Sequence, residues 1–449
     1  MKPMLIRGGH IIDPSRGTEE IGNLLITDGK ISWLGMGEPI PPQLEYDVLP
    51  AQGLTVCPGF IDLHCHLRQP GFEERETIAT GTQAAARGGF TTICCMPNTN
   101  PPLDNKVVID YVKHAAATEG SIRVLPIGCI SKGRTGKELA SMGELAAAGV
   151  IAYSDDGSPV LDSHLMRQAL DYSCAVALPI IDHCEDTALT KGGQMNEGII
   201  SAKLGLCGMP AAAEDNMVIR DIAITRLTRG RLHIAHISTK GSVEYIRRAK
   251  EQGIKVTAEV TPHHLTMTEE EVIGYNTNAK VNPPLRTKHD LKALIQGLKD
   301  NVIDVIATDH APHTEADKRC EFSMATFGIS GLETALGNLM SLVHEGQLPM
   351  ATLIAKFTCE PARIIGDKYG QLGTLAVGAP ADITLFDPDM EWVVDTKEFI
   401  SKGKNTPLAG SVLKGKVMAT IFNGKIAYKD DLLSLTPKET LKRGQTFLL

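Results

Sequence analysis

Val56-Cys57-Pro58-Gly59-Phe60-Ile61-Asp62-Leu63-His64-Cys65-His66-Leu67 turns a buried apolar strand into a pair of imidazoles. Side chains on a strand repeat every second residue, so Asp62, His64 and His66 would share one face, whereas on a helix the two histidines would diverge by roughly 200°. Imidazole is the commonest metal ligand near neutral pH, and two of them side by side behind a carboxylate suit a divalent ion. Taken alone, the pair is more often two strand-end histidines with ordinary hydrogen bonds. The rest of the chain changes that balance.

From Val56 to about Gly366 the pattern of apolar strand, loop and helical stretch repeats. Strand starts are expected near Phe60, Phe90, Ile122, Gly149, Ala177, Arg231, Ile254 and Val302. Helical segments fall between them at Glu76 to Arg87, Asn105 to Thr118, Asp162 to Ser173, Asp215 to Leu227, Lys240 to Gln252 and His289 to Lys299. Strands apolar throughout and alternating with helices require a parallel sheet covered on both sides, and eight such units most simply close as an α/β, (β/α)8 TIM-like barrel. An open doubly wound sheet is the alternative, but the Gly-x-Gly-x-x-Gly turn expected of it is missing. The long irregular stretches 186–214 and 310–331 are candidates for site-covering elements.

Both ends of the chain read as short strands. Asp28-Gly29 and Asn423-Gly424 each sit between apolar runs, a strong hairpin signal, and 381–386 reads as a further strand. Neither end offers enough apolar area alone, so one small β domain is expected from residues 1–55 and 367–449, with the barrel at 56–366 between them.

Polar residues recur at the expected C-terminal strand ends, where barrels carry function. They are His64 and His66, then Asn98, Asp155-Asp156-Gly157, His183, His236, Thr261-Pro262-His263-His264, and Asp309 with His310 and His313. Singly, His183 or His236 reads as a satisfied core histidine and Asp155-Asp156-Gly157 as a turn. Jointly, four imidazoles and two carboxylates on one face would repel one another or be badly desolvated without a cation. If one aspartate bridges, the set suits two zinc ions with a water between them, a two-metal hydrolase pattern in which Asp309 can pass the water's proton to a leaving nitrogen.

Composition narrows the class. The net charge of −8 is spread along 449 residues, so no basic surface for nucleic acid stands out. Ten cysteines without regular spacing read as reduced core thiols. There is no signal-peptide pattern and no apolar run of ~18 residues, so a cytoplasmic protein that does not span a membrane is expected.

The strings Val-Cys-Pro-Gly-Phe-Ile-Asp-Leu-His-Cys-His-Leu-Arg-Gln-Pro-Gly, Met-Pro-Asn-Thr, Tyr-Ser-Asp-Asp-Gly, Val-Thr-Pro-His-His-Leu, Asn-Pro-Pro-Leu-Arg and Ala-Thr-Asp-His-Ala-Pro-His extend over nearly the whole chain. Together they resemble the class I dihydroorotases of the amidohydrolase superfamily. The resemblance implies His64 and His66 on one zinc, His183 and His236 on the other, and Asp156 with a water or hydroxide bridging them. It implies Asp309 as general acid/base and as a ligand of the first zinc. It also assigns Arg68 and Asn98 to the substrate carboxylate, and Asn282, His313 and the backbone of Phe327 and Gly328 to its ring. The implied activity is the reversible conversion of N-carbamoyl-L-aspartate to (S)-dihydroorotate in pyrimidine biosynthesis.

Hydantoinase, dihydropyrimidinase and allantoinase are the rival activities, but those relatives usually bridge their metals with a carboxylated lysine, and the stretch 149–157 has none. A non-catalytic barrel that scaffolds aspartate carbamoyltransferase is a rival of another kind, although such chains lose ligands. The resemblance leaves a homodimer and a complex with that transferase open as assemblies.

Overall fold

A computed structural model describes residues 2–37 and 46–433, with the backbone of the two-residue strand Thr436–Pro437. The remainder of 38–45 and 434–449, parts of the expected terminal domain, lies outside the described residues.

Eight buried parallel strands form two sheets. One orders Phe60–Cys65, Phe90–Cys95 and Arg123–Pro126; the other orders Tyr153–Ser154, Ile180–Asp182, Leu232–Ile234, Val256–Val260 and Val305–Ile306. Isolated parallel bridges link their edges at both sides, Gly128 with Tyr153 and Cys65 with His310. Ser154 N donates to Gly128 O at 2.8 Å and His66 N to His310 O at 2.9 Å. Strand residues divide between two buried clusters. Ile61, Leu63, Cys94, Met96, Leu125, Ile127, Ile181 and Val305 pack on one another, while Phe60, Cys65, Phe90, Ile93 and Val124 pack with the helices.

The helices start where their sequences supply caps. Thr77, Asn105, Asp162, Thr239 and Thr287 each accept a hydrogen bond from a first-turn backbone N–H, satisfying donors that the helix itself leaves free. The helix that follows the eighth strand, Ala335–His344, comes after a long loop, and Met350–Phe357 and Cys359–Ile365 lead the chain away from the strands.

A nine-stranded sheet unites the two ends of the chain. Its path runs Lys425–Lys429, Val412–Phe422, Ile383–Val393, Thr55–Pro58, Met4–Asp13, Thr18–Thr27 and Lys30–Gly35. Both expected hairpins form, with Gly29 and Gly424 at φ of 77° and 75°, a region open to glycine at little cost. The two turns pack on each other: a Cβ on Gly424 would lie 2.7 Å from Gly29 Cα. The boundary expected at 55/56 falls inside the strand Thr55–Pro58, which pairs with terminal strands on both sides, and Gly59, whose N–H still donates to Asp382 O at 2.8 Å, is the residue between that strand and the first parallel one. Among the described residues no helix is long and apolar enough to cross a membrane.

Candidate metal centre

Five strand ends deliver six polar residues to one place. His64 and His66 stand with ring centroids 5.4 Å apart, and His183 and His236 with centroids 4.7 Å apart. Asp156 lies between the pairs. Its Oδ2 is 3.4 Å from His64 Nε2 and 3.5 Å from His66 Nε2, while its Oδ1 is 3.3 Å from His236 Nε2 and 3.6 Å from His183 Nδ1. Asp309 Oδ1 faces the first pair, 3.0 Å from His66 Nε2 and 3.6 Å from His64 Nε2. All six residues are buried.

The surroundings explain why each side chain points there. Asp155 turns away and accepts from Ile130 N and Ser131 N, while Arg134 caps the carbonyls of Asp155 and Asp156, so the turn presents Asp156 alone. Asp62 has the parity expected of it but is spent on structure: it accepts from Thr308 N at 2.9 Å and Thr308 Oγ1 at 2.6 Å, tying the first strand to the eighth. Backbone strain collects here, with Arg68, His236 and Asp309 at φ of 61°, 28° and 44°, conformations that non-glycine residues keep only where the surroundings enforce them.

Two carboxylates in this network are absent from the sequence-based expectations. Glu259 Oε1 lies 2.5 Å from His64 Nδ1 and accepts from His236 N at 3.2 Å, while its Oε2 is 3.1 Å from His233 Nε2. Glu185 Oε2 is 2.9 Å from His183 Nε2 and accepts from Asn282 Nδ2 at 2.8 Å. Such partners fix which ring nitrogen faces a metal and raise its basicity. Electrostatics follows the same geometry: burial opposes the charge of Asp156 and Asp309, yet the imidazoles around them outweigh it and hold both carboxyls below the usual range.

The residues expected around a substrate fall beside this centre. Arg68 is buried, its Nε donating to Pro312 O at 3.3 Å and its Nη2 lying 3.5 Å from His313 Nε2, with no carboxylate among the described residues at ion-pair distance. Burial first, then Arg75, pushes its guanidinium down to about 10. Asn98 uses Oδ1 to accept from His66 Nδ1 at 2.9 Å, so it also orients a ring. Asn282 is turned to Glu185 and His183. The Phe327 and Gly328 backbone is engaged within the protein: His313 Nε2 donates to Phe327 O at 2.8 Å, and Gly328 N donates to Lys280 O at 2.9 Å. His264 and His310 are structural, held by Thr261 and Pro283 and by Gly331 N.

Residues 53–242 match a protein family described as Dihydro-orotase-like. A dihydroorotase from Thermoanaerobacter sp. (strain X514) is 51% identical over 429 residues, covering 95% of this chain and 98% of that protein. The dihydroorotase of Aquifex aeolicus is 48% identical over 431 residues, covering 96% and 100%. The chain belongs to the dihydroorotase family. The L-hydantoinase (dihydropyrimidinase) of Arthrobacter aurescens shares the fold of this dihydroorotase-family chain, with a TM-score of 0.85 over 96% of each chain at 23% identity.

Metal ions fit the residues that this member of the dihydroorotase family presents. His64 Nε2, which faces Asp156, is buried with no hydrogen-bond partner among the described residues, and such an orphaned group costs roughly 1–3 kcal/mol. His64, Asp156 and His236, and likewise His64, His66 and Asp309, bring ligand atoms within 4.8 Å of one another. No lysine stands between Gly149 and Gly157, where Asp156 supplies the carboxylate.

Proposed function

We propose that this chain is a zinc-dependent cyclic amidohydrolase that interconverts N-carbamoyl-L-aspartate and (S)-dihydroorotate. The observation that carries the reading is the division of Asp156, one oxygen toward His64 and His66 and the other toward His183 and His236, beside a buried Arg68 that has no acidic partner among the described residues. His64, His66 and Asp309 would hold one zinc, His183 and His236 the other, and Asp156 both. Bound there, the ions would supply Lewis-acid activation of water and of the amide carbonyl.

The protein's own groups do the rest. Asp309 Oδ1 takes a proton from the attacking water and returns it to the ring nitrogen as the amide opens; closure runs the same transfer backward. Arg68 offers a planar fork to the ring carboxylate, and His313 buttresses it. Glu185 aligns His183 with Asn282, and Glu259 aligns His64 with the His236 backbone, so each half of the centre is held by its own carboxylate.

The same proposal takes the eight parallel strands as a closed barrel, on the strength of the two edge bridges, and the terminal sheet as a separate small domain joined through Gly59 and the segment before Ile383. Its test is turnover of dihydroorotate, hydantoin, dihydrouracil and allantoin by the zinc-loaded protein. Preference for dihydroorotate is the expected result, and preference for a neutral ring would replace this reading with a hydantoinase-type one.

A further inference from the structure

Two lysines beside the catalytic face have no counterpart in that chemistry. Lys318 ends the short helix Glu315–Lys318 in the loop after the eighth strand, and Lys280 follows the turn Thr277–Ala279 in the segment after the seventh. Both are buried, and among the described residues neither has a carboxylate at ion-pair distance. Lys318 Nζ donates to Thr326 O at 2.7 Å, Thr277 O at 3.0 Å and Lys280 O at 3.2 Å, which uses all three of its N–H groups. Lys280 Nζ donates to Phe322 O at 2.7 Å and Ser323 O at 3.2 Å, and stands 4.7 Å from the centroid of the Phe327 ring.

We propose that Lys318 and Lys280 are positioning residues for the substrate-carboxylate pocket, pinning the loop 310–331 to residues 277–280 so that His313 and the Phe327-Gly328 backbone are held against Arg68. This rests on the functional reading given above. The chain of contacts is continuous: Lys318 holds Thr326 O, the next residue's carbonyl holds His313 Nε2, and His313 lies against Arg68 Nη2. Gly328 N closes the circuit on Lys280 O.

Irregular backbone at this depth has carbonyls that no helix or strand satisfies, and an ammonium can gather several where an apolar side chain satisfies none. The arrangement is costly for a mere fastening. Burial, and then Lys280, push the Lys318 ammonium down to about 7, and the Lys318 charge joins burial and Arg68 in pushing His313 down to about 2. A pocket built for a carboxylate gives that surplus positive charge a purpose.

Lys318→Met and Lys280→Met keep most of each side chain's length and remove its charge; the second breaks two carbonyl bonds instead of three and serves if the first fails to fold. With zinc content matched to the parent, KM for dihydroorotate is expected to rise by about tenfold or more, since small misplacements of binding groups are expensive. Dihydrouracil, which presents the same ring to the Phe327-Gly328 backbone but has no ring carboxylate, should lose less turnover than dihydroorotate. Hydrogen exchange should quicken at the Thr326 and Gly328 amides while the strand amides keep the parent rates, a readout that needs no substrate. Unchanged exchange in the loop, an unchanged KM for dihydroorotate, or equal losses on both substrates would overturn the proposal. Failure of the parent to turn over dihydroorotate would count against the functional reading, and the exchange result would still decide the role of the lysines.

Discussion

On the proposed reading, Asp309 and Arg68 divide the labour at the scale of single residues, one moving a proton and the other recognising an anion. Asp309→Asn keeps the shape and a ligand oxygen but cannot carry the proton, so zinc analysis should find bound metal while kcat falls by on the order of 10²-fold or more. Turnover within a few-fold of the parent would remove Asp309 from that role. Arg68 makes no ion pair with Glu73, whose Oε1 instead accepts from Gly71 N at 2.8 Å. A buried guanidinium facing an uncharged ring stays unpaired, at a cost of several kcal/mol. Arg68→Met should therefore cut kcat/KM for dihydroorotate by about 10³ and leave dihydrouracil turnover nearly unchanged. Parallel kinetics on both substrates would show it, and equal losses would point to a structural role. The gathering of His64, His66, His183, His236, Asp156 and Asp309 was legible in the sequence because each stands at the end of an apolar strand or just beyond it. Glu259 was not, because His64 meets it from another strand and a carboxylate on an apolar strand carries no mark of which imidazole it meets; Glu185, although only two residues from His183, stands past the strand end, where side-chain parity no longer sets direction.

At the scale of elements, strand starts at Phe60 and Phe90 and helix starts behind Asn105 and Asp162 agree with the sequence reading, since a glycine or a cap marks each boundary. The fourth strand was displaced. Expected near Gly149, it begins at Tyr153, because Gly149 at φ 104° caps the helix Met142–Ala148 and the apolar run after it is a buried connection, which hydropathy cannot tell from a strand. The opening motif also splits in two at Gly59, where the chain leaves the terminal sheet for the first parallel strand. A Cβ there would lie 2.2 Å from Thr91 Oγ1 and 2.3 Å from its Cγ2. Thr91 is buried, and its own Cβ would lie at 2.8 Å, so rotating the side chain does not relieve the contact. Gly59→Ala should destabilise the fold by about 1–3 kcal/mol, the range for overpacked cores. Urea midpoints would measure the loss, and Gly59→Ala combined with Thr91→Ala should recover part of it. A single variant as stable as the parent would mean that the junction has slack.

Across the whole molecule, the terminal sheet is tied to the catalytic part through Arg123, whose Nη1 lies 2.7 Å from Asp382 Oδ2, and through Thr384 Oγ1, which donates to Gly89 O at 2.5 Å. Both contacts lie at strand starts, away from the His and Asp cluster, which leaves the opposite strand ends free for chemistry. The reaction assigned to that face has its own signature, because opening the cyclic amide creates a carboxylate and releases one proton. The equilibrium ratio of N-carbamoyl-aspartate to dihydroorotate should therefore rise about tenfold per pH unit between pH 6 and pH 8. A ratio independent of pH would mean a different reaction. The metal centre itself is tested most directly by titrating zinc into chelator-stripped protein in carbon-dioxide-free buffer while following dihydroorotate turnover. With Asp156 as the shared carboxylate, activity should climb to its full value as two equivalents bind, without bicarbonate; full turnover by the stripped protein, saturation at one equivalent or a strict need for bicarbonate would contradict the account.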